Sequence, residues 1–154
     1  MHHSERLTYG LIFLVLALVA IAAYVFLIPH HKTTQIFLGS TTYSMQVVSS
    51  DAKRNQLLQK EESLKNNHGV LVAYPDDAKH SIALKNLHVK SDVLWLDNNK
   101  NIVYQVKGLP AVANDKMFGV NKPSRYMLLF ASGVIERQKP LNGSSVSFDL
   151  NSLW

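Results

Sequence analysis

Lys85, Asn86 and Asp92 place a cation, an amide and a carboxylate within one short stretch of chain. Converging beside strand ends, they could hold a small polar or anionic group. The same residues have a plainer use. Asn86 and Asp92 can tie loop backbone N–H groups while Lys85 covers an apolar edge, and short side chains in β-connections usually serve the backbone in this way. Other chemistry finds less support. The seven histidines include an adjacent pair, His30 and His31, but His68, His80 and His88 are scattered, and no H-x-x-x-H or H-E-x-x-H spacing occurs. No preformed zinc site is expected, and no other cofactor. No serine sits in G-x-S-x-G, Asp97 belongs to a turn sequence, and Glu61 and Glu62 point apart if helical. With no cysteine and no glycine-rich phosphate loop, catalysis has no positive support.

The elements that must position these residues are mostly strands. Ile36–Leu38 and Tyr43–Val47 flank Gly39-Ser40, and Tyr43, Met45 and Val47 alternate onto one face. Ser50 and Asp51 have the form of a helix start, predicting a helix to about Glu62 with Leu57, Leu58 and Leu64 toward the core. Val70–Tyr74 and Ser81–Leu84 read as short strands around Pro75-Asp76-Asp77. Val93–Leu96 and Ile102–Val106 form a hairpin across Asp97–Lys100, which would set Trp95 and Tyr104 on neighbouring strands. Arg125–Phe130 is expected as a strand, Gly133–Gln138 as a brief helical turn and Val146–Phe148 as a final strand, with a long loop over 107–124.

The N-terminus is of another kind. Tyr9 to Ile28 contains no charged residue, and at about 1.5 Å per helical residue such a run spans roughly the 30 Å hydrocarbon core of a bilayer. Ala20-Ile21-Ala22 has the form of a signal-cleavage site, but apolar residues continue past it to Ile28, which favours an uncut anchor. Pro29 ends the helix, and His30-His31-Lys32 would lie at headgroup level. Arg6 and Lys32 nearly balance, so a short inner tail and an outer domain are expected because long domains translocate with little regard to charge. The organisation is thus a tail over 1–8, a single membrane span over 9–28, a linker over 29–33 and one domain over 34–154. Membrane lipid is the expected partner, through residues 9–28. The net charge of +5 is spread along the chain, with no adjacent basic run beyond Lys53-Arg54, so a solvated surface is expected and nucleic acid is not.

The order of segments resembles the domain of unknown function 192 family over residues 34–150 or so. Lys53–Leu58 occupies the place of its helix pattern, His68–Pro75 that of its G-M-L-F-x-F-x stretch, and Ile82–Leu87 that of F-W-M-K-N-T, with Lys85 and Asn86 as polar matches. Ser91–Asp97 is similar to its L-D-x-x-F-x-D hairpin, and Met127–Gly133 and Gly143–Val146 complete the order. The chain departs from the pattern at Ala83, Leu84, Leu87 and Ser144, and it lacks the helix Gly-Leu-Met. The resemblance implies a compact, strand-rich α+β domain, barrel-like, with one main helix. It brings no established activity, substrate or cofactor. Residues and resemblance together lead to a membrane-anchored binding or accessory module outside the cytoplasm. The alternatives are an enzyme acting on a polar substrate through Lys85 and Asp92, and a structural subunit of an envelope assembly.

Overall fold

The computed structural model describes residues 13–24, 32–59, 64–65, 67–112 and 115–150. The chain divides into two units, Met1–His31 and Lys32–Trp154. In the first, residues 13–24 form a helix, α1, apolar along its length, and each of its residues is exposed. No helix among the described residues is long and apolar enough to cross a membrane. The flanks of the expected 9–28 span, with Pro29, His30 and His31, lie outside the described residues.

The second unit is built on period-two patterning. Its elements are β1 (Thr33–Leu38), β2 (Thr41–Val48), α2 (Asp51–Leu58), β3 (His68–Ala78), β4 (Ser81–Ala83), a 3₁₀ turn (Leu84–Asn86), β5 (Ser91–Leu96), β6 (Ile102–Leu109), β7 (Met117–Gly119), β8 (Ser124–Ala131) and α3 (Val134–Gln138). Six strands make one sheet in the order β1-β2-β3-β8-β5-β6, and β4 pairs with β7 in a separate ribbon. Only β2 and β3 run parallel within the six-stranded sheet, and α2 lies in the crossover between them.

Both faces of the central strands are buried, which is why β3, β5 and β8 read as near-continuous apolar runs. Val70, Val72, Val93, Trp95, Met127 and Leu129 face one core, which α2 closes with Leu57 and Leu58. Their neighbours Leu71, Ala73, Leu94, Leu96, Leu128 and Phe130 face the other, with Ile36, Tyr43, Met45 and the α3 residues Val134 and Ile135. Gly69 fits the tight centre of the sheet, since a Cβ there would stand 2.7 Å from both the Leu129 carbonyl oxygen and Met45.

The strand-rich α+β fold with one main helix is as expected, but the sheet is open and no barrel closes among the described residues. The reason lies in the C-terminal segment. Val146–Phe148 is not a strand; single bridges join Phe37 to Ser147 and Asn101 to Ser145, too few to make a ladder between the edge strands β1 and β6. Three boundaries also differ. Helix α2 ends at Leu58, with Gln59 as its C-cap and residues 60–63, which include Glu61 and Glu62, outside the described residues. Strand β3 continues through Pro75 to Ala78. The expected 107–124 loop holds the end of β6 and all of β7.

Candidate functional site

Asp92 is the second residue of β5, on the α3 side of the sheet, and is almost wholly buried. Its Oδ1 accepts a hydrogen bond from the Gly108 N–H at 2.8 Å. Its Oδ2 accepts from the N–H groups of Gly133 (2.9 Å) and Ile135 (2.8 Å). Gly133 enters α3 at φ 99°, a conformation that suits glycine, and so turns its amide toward the carboxylate. One buried charge thereby ties β5 to the irregular end of β6 and to the first turn of α3.

Lys85 and Asn86 stand elsewhere. They occupy the 3₁₀ turn whose first residue, Leu84, packs with the following Leu87 into the opposite core. Lys85 is half exposed and pairs with Asp115, whose carboxyl it holds below the usual range by hydrogen bonding and by its charge. The fold therefore does not bring Lys85, Asn86 and Asp92 to one place, and neither cavity described below includes any of them.

Sequence reasoning passed over a second buried charge. Arg54 projects from α2 into the sheet and is 3% exposed. Its Nη1 donates to the Tyr74 hydroxyl at 3.0 Å and to the Ser81 carbonyl at 3.3 Å, and lies 2.9 Å from Asp51 Oδ1. Its Nε and Nη2 both donate to Asn55 Oδ1. The Tyr74 ring stacks on His80, with centroids 3.5 Å apart and planes 5° from parallel. Burial pushes the Tyr74 hydroxyl pKa up, Arg54 opposes the shift and Asp51 adds to it. Held as a neutral phenol, Tyr74 fastens helix to sheet. Arg54 lies 20 positions from Tyr74 and 27 from Ser81 in the chain, so no local motif announces the cluster.

Next to Tyr74 the sheet opens. Ala73 pairs with Tyr126 and the next β3–β8 pair is Ala78 with Ser124, so Tyr74–Asp77 arches away from β8. Pro75 lies in the arch and has no N–H for a ladder. Arg125 spans the gap, its Nη1 donating to the Pro75 carbonyl. The separation leaves a cavity of about 340 Å³, lined by Ser49, Ala73, Tyr74, Pro75, Arg125, Tyr126 and Leu150. It lies where the parallel strands β2 and β3 end, the edge at which open sheets with parallel strands commonly take ligands. A smaller hollow of about 270 Å³ lies against Tyr104, Val120 and Lys122, close to the ring of Trp95, which meets Tyr104 edge-on at 6.0 Å. The only sequence signal of the larger cavity is a proline inside an otherwise continuous strand pattern. Among the described residues no three His, Asp or Glu side chains group as a metal site.

Comparison with known proteins gives a family and a fold. The chain is similar to the crystal structure of a proposed transcription regulator from Sinorhizobium meliloti 1021, with a TM-score of 0.66, 16% identity, and coverage of 78% of this chain and 96% of that one. It is also similar to a protein of unknown function from Novosphingobium aromaticivorans DSM 12444, with a TM-score of 0.63, 12% identity, and coverage of 76% and 84%. Identities this low carry the fold alone. No curated protein matches the chain. The family model DUF192, described as an uncharacterized ACR, matches residues 34–148, which take in all but the first residue of the sheet, both buried charged residues and the arch, and the chain belongs to that family.

Proposed function

We propose that this chain is a non-catalytic binding module, tethered to the membrane by residues 9–28, whose ligand enters the arch between β3 and β8. The observation that carries the binding reading is the cavity of about 340 Å³, a size at which small-molecule sites begin, with mostly apolar walls and a few polar groups. Asp92, Arg54 and Lys85, by contrast, have their charges engaged by the protein itself. The tether is supported by α1, whose exposed, wholly apolar surface calls for a lipid environment. The domain then works outside the cytoplasm, with a short tail inside.

Three experiments test the two parts. Detergent partitioning of the full-length protein should carry it into the detergent phase, and a reporter fused after Trp154 should be active only outside the cytoplasm. Recovery from the aqueous phase, or a cytoplasmic signal, contradicts the placement. A melting-temperature screen of small molecules should find stabilisers that lose their effect in Tyr126→Ala. Stabilisers indifferent to that change contradict the site.

A further inference from the structure

We infer that the arch takes a small organic anion with a single carboxylate and an apolar body, an inference that rests on the cavity reading above. Three observations converge. Ala73, Pro75, Tyr126 and Leu150 give the cavity walls that solvate hydrocarbon and repel none of it. Arg125 brings the one cation among the lining residues. It engages the Pro75 carbonyl through Nη1, while a guanidinium carries five N–H donors in a fork that matches a carboxylate. Ser49, exposed just past the end of β2, adds a hydroxyl at the rim.

The charge balance selects among anions. A phosphate dianion calls for several cations or a row of backbone amides. The arch offers one guanidinium, and the exposed Asp76 and Asp77 follow Pro75 directly, which disfavours a second negative charge nearby. A monocarboxylate needs one fork and no more. The apolar walls then fix the rest of the molecule, and neutral polar ligands lose the charge-assisted hydrogen bonds.

Benzoate and its neutral isostere benzamide, titrated into the full chain in detergent micelles and followed by backbone amide NMR shifts, test this. Benzoate is expected to bind about ten-fold more tightly than benzamide, the difference made by charge-assisted hydrogen bonding. In Arg125→Gln the two should bind alike, and Arg125→Lys should restore only part of the preference because it keeps the charge and loses the fork. Retained amide dispersion shows that each variant is folded. Equal affinities in the wild type overturn the anion inference and leave the binding reading standing. If neither probe shifts an amide around the arch, both fall together. A preference that survives in folded Arg125→Gln overturns the assignment to Arg125.

Discussion

The two ends of β8 use charge in opposite ways. Near its C-terminal end, beside Phe130, the Asp92 carboxylate is enclosed and both oxygens are held by backbone N–H groups. At its N-terminal end Arg125 leans across a gap in the ladder and faces a cavity. A buried ion served by the backbone is part of the frame, because removing it strands several donors at once. A charged side chain beside a hole in the sheet keeps donors for something else. Arg54, Gly69, Asp92 and Gly133 all lie in the resembling segments, and all hold the fold together. The arch draws on both kinds of residue: Ala73, Tyr74 and Pro75 lie in a resembling segment, whereas Arg125 and Tyr126 lie just before one.

The comparison can be broken by mutation, most forcefully at Asp92. Asp92→Ala should cost about 3–5 kcal/mol, because three backbone N–H donors lose a charged acceptor, read as a fall in the urea midpoint. Asp92→Asn keeps one acceptor and should cost about 2 kcal/mol. A loss below about 1 kcal/mol in the alanine variant would place Asp92 outside the frame.

Arg54→Met should come next, at about 2–3 kcal/mol, since the Tyr74 hydroxyl, the Ser81 carbonyl and Asn55 Oδ1 lose their donor while the methionine fills much of the volume. Tyr74→Phe should cost about 1 kcal/mol at neutral pH. It should also remove a pH dependence. Because the folded hydroxyl pKa is raised, its contribution is complete below the ordinary value of 10.0 and is lost as pH rises through the folded value. Wild-type stability should therefore decline in alkali more steeply than that of Tyr74→Phe, and identical alkaline slopes would contradict the burial argument.

The smallest effect belongs to the exposed pairs. Lys85–Asp115 and Lys107–Glu136 (2.5 Å) both lower the carboxyl pKa, so whatever they contribute is present above the ordinary carboxylate range and fades as pH falls through the lowered value. Lys85→Gln should leave the midpoint at pH 7 nearly unchanged. A large loss there would show Lys85 to be part of the frame after all.

Much of this frame is legible in the chain. Alternation at Tyr43, Met45 and Val47 fixes β2, and the Asp97 turn fixes the pairing of Trp95 with Tyr104. Leu57 and Leu58 are buried as the helix pattern requires, and Leu64 is buried too, although it lies beyond the end of α2. Strand β7 is not legible, because Met117-Phe118-Gly119 is too short to show a period and its partner β4 lies more than thirty residues back. The arch is barely legible, with Pro75 as its one sign. Periodicity reports which face a residue takes, whereas a cavity depends on where two distant strands stop pairing. Lys85, Asn86 and Asp92 look alike in sequence as polar residues in apolar company. Only the fold distinguishes a carboxylate that caps a helix from a lysine on the surface.

The most direct test of the contrast is a map of where a small ligand touches the full-length protein. Backbone amide shifts on adding benzoate should concentrate at Ser49, Ala73, Arg125 and Tyr126 and leave Gly108, Gly133 and Ile135 unmoved. Shifts centred on the Asp92 partners, with the arch silent, would contradict the account.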